Sequence, residues 1–421
     1  MSSRTTASMQ GDWRDTMAEK TVAVLFGGRS VEHEVSVITG HQIMDALKAA
    51  GHRVLPIYIE KDGEWYAGES LHNLKLYTDP AGEPTRAAGV ARVSLSPDRS
   101  IRQLVVHPGT RQGLFRKPAQ LWAEVFFPCL HGSFGEDGSL QGLFELADVP
   151  YVGAGVAASA ISMDKALTKV ICRGVGIPVL DWTVLSRAEW GQEAAGIVER
   201  IESAFAYPVI VKPVCLGSSI GVKRCHDRGT LREAIATALL LDDRVLVEPA
   251  LSDFIEINCA VMGPPARVSV CEQPVTHEAI LSFDAKYKHG GKGAKQAKKP
   301  EGMAALDRLI PAPISAELAQ RTQSLATQAF RVTDAAGTSR IDFLYQSDRE
   351  ALYLNEINSI PGSLAFYLWE ATGLPFDELV DTLIAIALQR HQARVQTQFS
   401  FEVNLLRKKD EPTSESVRQR P

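Results

Sequence analysis

Hydrophobic and polar positions along this chain follow two periods in turn. The opening run KTVAVLFGGRS is short, β-branched and apolar, and it stops at Gly27 and Gly28. The pattern then turns helical. Val31, Val35, Ile38, Ile43 and Leu47 recur at roughly one-turn spacing through SVEHEVSVITGHQIMDALKAAGH. A second strand-like run, RVLPIYIEK, comes next. Strand, turn, helix and strand in that order predict a parallel α/β unit. Residues 68–115 are rich in Gly, Pro and polar side chains, with short alternating stretches such as ARVSLS. They predict an inserted hairpin or extra strands. AEVFFPCLHG then reads as a buried strand closed by a glycine, and GSLQGLFELADVPYVG as a short helix and strand.

The second half repeats the two periods with longer elements. A helix is predicted over residues 157–175, with Pro178 just beyond its end. YPVIVKP and VLVEPAL read as strands, with GSSIG and a helix around TLREAIATALLL between them. FIEINCAVMG, ARVSVCEQ, TSRIDFLY and ALYLNEIN are further strand-like runs, and AELAQRTQSLATQAFRV is a helix ahead of the last two. The final helices are expected over residues 375–394. No internal repeat is visible.

Composition narrows the class without changing this picture. The chain has 421 residues, which at ~100–200 residues per domain gives two or three domains. Hydrophobic residues make up 45% and charged residues 23%, an ordinary soluble balance. The formal net charge of −5 argues against a general nucleic-acid binder, so no nucleic-acid partner is expected. The six cysteines form no CxxC pair and several sit in apolar runs. They read as buried thiols of a reducing compartment, with no zinc site. The N-terminal stretch lacks an apolar signal core, and no apolar run approaches the ~18 residues of a membrane span. A cytoplasmic protein with loose polar ends, residues 1–19 and 403–421, is the expectation.

Five constellations carry chemistry. In GGRSVEHEVS, glycines end a strand and admit a ligand to the backbone, and Glu32 opens the helix that follows. The alternative is helix-dipole pairing for Glu32 and Glu34. No GxGxxG is present, which argues against a dinucleotide site. LHGSFGEDGSLQG clusters His131, glycines and acids where a strand gives way to a loop, a common place for function, although a lone histidine there is more often structural. MDKALTK and VIVKPVCLGSSIGV supply Lys165 and Lys212 as candidate phosphate contacts. Lys212 follows an apolar strand, and a buried ammonium needs a partner such as a phosphate. The 217–221 loop, with Ser218 and Ser219, offers backbone N–H groups that can close over phosphates.

VLVEPALSDFIEIN forms a strand-to-loop hinge. There Glu248, the Pro249 carbonyl and Leu251 can meet an adenine edge, and Glu256 can take ribose hydroxyls. Solvated acids at a strand end are the alternative. RIDFLY and LNEINSIPGS carry the most specific pattern. Arg340 and Asp342 alternate on one strand face, and Glu356 and Asn358 on the next. If the strands pair, three oxygen-bearing side chains and one guanidinium converge. That set suits Mg²⁺, which keeps few protein oxygens and adds substrate phosphates. A cross-strand salt-bridge cluster is the competing reading.

Together these segments resemble the D-alanine–D-alanine ligases of the ATP-grasp superfamily. The resemblance runs over residues 20–394 and includes GGRSVEHEVS, LHGSFGEDGSLQG, SMDK, VIVKP, GSSIGV, DAKY, RIDF and NEINSIPG in the family's order. It implies an α/β (α+β) ATP-grasp fold with three domains: an N-terminal Rossmann-like domain over 20–149, a central domain over 150–249 and a C-terminal catalytic domain over 250–402. It also implies ATP as cosubstrate and two Mg²⁺, with Mn²⁺ as a substitute, at Asp342, Glu356 and Asn358. Glu32 would hold the first substrate's amino group, and His131 would lie near its carboxylate. Lys165, Lys212 and Lys286 would contact phosphates, and Ser218 would contact Glu32 and Tyr287. Glu248, Pro249, Leu251 and Glu256 would hold adenosine. Arg340 and the Gly362 N–H would form the oxyanion hole. The product would be the D-alanyl-D-alanine of peptidoglycan precursors. Small amino acids would be the partners, and a homodimer the assembly.

Two stretches depart from the family pattern. Residues 287–313 form an unusually long Gly- and Lys-rich segment where the family has a lid loop. After NSIPG, Tyr367 and Leu368 stand where a Ser–Leu pair is usual and where the serine holds the second substrate's carboxylate. A tyrosine hydroxyl still donates a hydrogen bond but reaches further. A related ATP-grasp ligase with another acceptor, in specialised metabolism, is therefore the alternative. Tyr287, in DAKY, matches the relatives that form peptides, so an amine acceptor rather than D-lactate is expected.

Overall fold

The apolar runs that open the chain become neighbouring parallel strands. In a computed structural model, which describes residues 18–107, 120–275 and 307–400, Thr21–Gly27 (β1) and Arg53–Ile59 (β2) pair in parallel. The helix His33–Ala49 makes the crossover between them. Trp65–Ala67 (β3), Ala91–Leu95 (β4), Leu104–Val106 (β5) and Gln120–Leu121 (β6) add antiparallel strands beside β2. β4 and β5 lie in the segment 68–115 where extra strands were expected, while β3 precedes it and β6 follows it. Val125–Pro128 (β7) pairs in parallel on the other side of β1, completing the order β6-β5-β4-β3-β2-β1-β7. Loops leaving the C-terminal ends of β1 and β7 therefore emerge side by side. That is the edge of a parallel sheet where ligands bind.

The helical pattern after β1 needs one correction. Val31 lies ahead of the helix and is 49% exposed. Val35, Val37, Ile43, Met44 and Leu47 are the buried members. The helix buries more than one face because it shares a core with the C-terminal helix Phe376–Val395, through Leu379, Val380, Leu383 and Ile384.

A second sheet has four antiparallel strands: Thr183–Ser186 (β8), Val209–Pro213 (β9), Lys223–Cys225 (β10) and Arg244–Pro249 (β11), in the order β10-β9-β11-β8. Helices Arg187–Ala204 and Arg228–Leu241 share its core, and each starts with a capping box, Ser186 with Glu189 and Asp227 with Thr230. The helix expected over 157–175 is two helices, Val156–Met163 and Lys165–Gly174. Asp164 breaks them. Its backbone is extended and its carboxylate accepts the Leu167 N–H at 2.8 Å, the geometry of an N-cap.

The third sheet is antiparallel throughout: Phe254–Gly263 (β12), Arg267–Pro274 (β13), Arg308–Leu309 (β14), Gly337–Gln346 (β15) and Ala351–Asn358 (β16), in the order β14-β13-β12-β15-β16. The helix Ala316–Val332 packs on it around Ala326, Ala329 and Phe330. No helix among the described residues is long and apolar enough to cross a membrane.

Candidate functional site

The strand pair β15–β16 has the register that the alternating pattern requires: Arg340 opposes Asn358 and Asp342 opposes Glu356. Arg340 donates two hydrogen bonds to Asp342, from Nε and Nη2, each 2.7 Å long. The pair is nearly buried, Arg340 at 6% and Asp342 at 2% exposure. Burial opposes the Arg340 charge, but Asp342 outweighs it and holds the guanidinium well above its usual range. Asn358 Nδ2 donates to Asp342 Oδ2 at 3.0 Å. Asp342, Glu356 and the Asn358 amide are oxygen-bearing side chains on paired strands, a donor chemistry that fits a divalent cation keeping water and phosphate ligands, although here both Asp342 oxygens accept from Arg340 and Asn358 turns its N–H group to Asp342.

β16 runs into a loop with strained backbone. Ser363, Leu364 and Ala365 all have left-handed φ values, 53°, 54° and 50°, which non-glycine residues adopt at a cost. Side chains from the loop after β7 and from the helix after β1 hold this turn. Glu136 accepts the N–H of Ile360 at 2.8 Å through one oxygen and the N–H of Gly132 at 2.9 Å through the other. Thr39 Oγ1 accepts the Ser363 N–H at 3.3 Å and sits 2.9 Å from His131 Nε2. Burial pushes His131 down to about 4, so its ring is neutral at physiological pH. Burial and the nearby Glu32 carboxylate push Glu136 up to about 8.

The 217–221 loop closes the other side. Ser218 donates to Glu32 Oε1. A methyl at Gly132 would sit 2.8 Å from the Glu32 carboxylate, and one at Gly217 would sit 2.7 Å from it, so both glycines are needed for the approach. The structure thus brings Glu32, His131, Ser218, Arg340, Glu356, Asn358 and Gly362 to one cleft, with Glu136 and Ile360. A larger, open groove along the helix Ala316–Val332 contains none of the candidates.

The lysines lie beside this cleft on the second sheet. Lys212 Nζ is 2.5 Å from Glu248 Oε1 and 3.0 Å from Asn355 Oδ1. Lys165 Nζ donates to the Leu216 carbonyl at 2.5 Å, and among the described residues it meets no carboxylate. Glu248 is also bound by Lys169, whose Nζ is 2.8 Å from Oε2. Burial alone would push Glu248 up, but the Lys212 and Lys169 ammoniums outweigh it and hold the carboxyl at about 2. Pro249 ends β11, the Leu251 carbonyl accepts from Arg224 at 3.4 Å, and Glu256 accepts from Asn258 at 3.0 Å. Ser219, like Ser218, has a positive φ, at 58°.

Tyr367 and Leu368 go different ways. Leu368 is buried in the core. The Tyr367 hydroxyl lies 3.4 Å from Glu272 Oε1, and the Arg308 guanidinium stands 3.8 Å above its ring while pairing with Glu272 at 2.9 Å. Lys286, Tyr287 and most of the segment 287–313 lie outside the described residues.

Sequence reasoning passed over Glu136, Thr39, Lys169 and Glu272. Glu136 stands inside the quoted LHGSFGEDGSLQG and Lys169 four residues after Lys165. A further signal for Lys169 was its place on the helix face that carries Cys172, inside the apolar pattern.

Comparison with known proteins matches both halves. The family described as "D-ala D-ala ligase N-terminus" matches residues 21–154, and "D-ala D-ala ligase C-terminus" matches residues 171–385. The chain is 35% identical over 385 residues to a D-alanine–D-alanine ligase of Thermosipho africanus, covering 91% of this chain and 97% of that one. It is 38% identical over 386 residues to one of Heliobacterium modesticaldum, covering 90% and 97%. Among solved structures, the D-alanine-D-alanine ligase of Coxiella burnetii aligns with a TM-score of 0.72 at 28% identity, covering 90% of this chain and 96% of that one. The VanG D-Ala:D-Ser ligase of Enterococcus faecalis aligns with a TM-score of 0.71 at 29% identity, covering 88% and 99%.

Proposed function

The chain belongs to the D-alanine–D-alanine ligase family, and from that premise we propose how its cleft performs the reaction. It has the ATP-grasp fold and is an ATP-dependent ligase that joins two D-alanines into D-alanyl-D-alanine for peptidoglycan precursors. One observation carries the assignment of roles: Glu32 with Ser218, Arg340, Glu356, Asn358 and Gly362 face the same cleft from separate elements, and Asp342 stands behind Arg340, bonded to it.

A carboxylate is a poor acyl donor, so the first D-alanine is activated as an acyl-phosphate. Glu32, oriented by Ser218, holds its ammonium. Lys165 and Lys212 hold phosphate oxygens of ATP, Lys286 the transferred group, and the β11 hinge with Glu248, Pro249, Leu251 and Glu256 the adenosine. The carboxylate oxygen attacks the γ-phosphorus and ADP leaves. Asp342, Glu356 and Asn358 would hold Mg²⁺, which when bound neutralises charge spreading over the transferred phosphoryl group. The second D-alanine's amine attacks the carbonyl carbon. Arg340 and the Gly362 N–H meet the resulting oxyanion, and phosphate leaves. Two metal ions, a homodimer and a cytoplasmic setting complete the reading, each supported by the family resemblance alone.

The deciding experiment supplies ATP, Mg²⁺ and D-alanine alone and follows ADP, phosphate and product mass. D-alanyl-D-alanine formed one for one with ADP is the expected result. Turnover only after a different amine is added would defeat the D-alanine acceptor.

A further inference from the structure

The oxyanion donor Gly362 sits on a turn held largely from outside. Three consecutive non-glycine residues after it are left-handed, and beside one internal bond, from the Leu364 N–H to the Pro361 carbonyl at 2.8 Å, the Ile360 and Ser363 N–H groups bond outward. The Ile360 N–H goes to Glu136, and Ser359 Oγ approaches the same carboxylate at 3.4 Å. The Ile360 backbone also engages the His131 ring. The Ser363 N–H goes to Thr39. All three holders belong to the loop after β7 or the helix after β1, more than 220 residues away in sequence. His131 has its second nitrogen on Thr39, so its ring is engaged on both sides by protein.

We infer that Glu136, Thr39 and His131 are positioning residues: they dock the Ile360–Ser363 turn onto the loop after β7 and the helix after β1 and so aim the Gly362 N–H at the tetrahedral oxygen. The inference rests on the ligase reading and adds to it. It gives His131, which lines the cleft, a part in supporting the turn as well. The neutral imidazole suits that role, since one nitrogen can donate to the Ile360 carbonyl while the other accepts from Thr39. Glu136 binds two N–H groups with two oxygens. A glutamine there keeps one acceptor and turns an N–H toward the other donor.

Two variants test this. Glu136→Gln breaks one anchor inside the cleft. Thr39→Val breaks another, at a side chain that is fully buried and outside the cleft lining. If the Gly362 N–H is misaimed, acyl-phosphate still forms but its carbonyl is attacked less well and more of it is lost to water. Both variants should then lower dipeptide kcat by about 10–100-fold, on the scale of one oxyanion donor partly lost. The KM for ATP should change less than about threefold, and phosphate released per dipeptide should rise above one. Amide exchange in the 359–365 segment should also quicken in both, with melting temperature and ATP binding kept as controls for folding. Uncoupling in Glu136→Gln alone would mean that its carboxyl acts on substrate directly and would overturn the positioning role. Unchanged exchange in both variants would overturn the docking itself. Should the parent chain make no dipeptide, the ligase reading fails instead, and amide exchange alone decides whether the turn is docked.

Discussion

Lys169 and Glu248 form an ion pair 2.8 Å long in which each side chain is only 2% exposed. Lys169 lies on the helix Lys165–Gly174 and Glu248 on β11, so the pair ties the helix that carries Lys165 to the hinge strand. Glu248 uses its other oxygen for Lys212. Three charges therefore share one buried site, and none is independent.

Removing one member should be costly. Lys169→Met leaves Glu248 with one partner and should destabilise the fold by ~3–5 kcal/mol in urea unfolding. The acid side carries a signature. Glu248 titrates at about 2 in the folded chain, below its ordinary 4.5. A depressed carboxyl contributes stability that is fully present above the unfolded value and is lost as pH falls through the folded one. Melting temperature should thus fall between pH 4.5 and 2, and Glu248→Gln should flatten that part of the curve while lowering stability at neutral pH. A variant with an unaltered acid slope would remove Glu248 as its source.

The Arg340–Asp342 pair predicts a coupled loss. Arg340→Lys keeps a charge but cannot make the two-toothed contact now seen at 2.7 Å. Dipeptide kcat should drop ~10²-fold if Arg340 meets the oxyanion. The Mg²⁺ concentration for half-activity should rise as well, because Asp342 is then held less firmly for the metal. A kcat loss at an unchanged Mg²⁺ requirement would separate the two roles.

Asp164 predicts a smaller, local effect. Its carboxylate caps the helix through Leu167 and pairs with Arg244. Asp164→Ala should cost ~1 kcal/mol for the cap. It should also raise the KM for ATP, since Lys165 is the first helical residue after the cap. Stability and KM measured together check whether the break serves the lysine.

How much of this could be read in the sequence follows from where the information sits. The Arg340, Asp342, Glu356 and Asn358 arrangement was legible because strand alternation fixes the face and a short connection fixes the partner. The first parallel unit was legible for the same reason, since β1 and β2 carry apolar runs and a helix of the right length lies between. The helix break at Asp164 was missed because an apolar period continued through it, although the N-cap residue was in view. The Glu136–Ile360 contact could not be found, since it joins loops 224 residues apart and neither residue marks its partner. Lys212 was expected to need a partner such as a phosphate, and the structure gives it Glu248 as well, an acid assigned from the resemblance to the adenosine site.

Tyr367 is where this chain departs most from the family pattern, and Arg308 meets both its ring and its hydroxyl. The hydroxyl lies 3.4 Å from Glu272, a long contact, and also bonds Arg308, whose guanidinium carbon stands 3.8 Å from the ring centroid. Arg308 is held from its other side by Glu272 at 2.9 Å. Tyr367→Phe loses the hydroxyl's bonds but keeps the ring under Arg308, and kcat/KM for the second D-alanine should stay within about threefold, because the cation–π contact survives. Tyr367→Ser restores the hydroxyl usual in relatives but removes the surface on which Arg308 rests, worth ~0.5–2 kcal/mol. Arg308 then keeps its Glu272 pair but loses its fixed plane, and the KM for the second D-alanine should rise about tenfold or more, the scale of that contact. Steady-state kinetics with the acceptor varied will read both variants. If Phe fails and Ser is tolerated, the hydroxyl rather than the ring shapes the acceptor pocket, and Arg308 has no part in it.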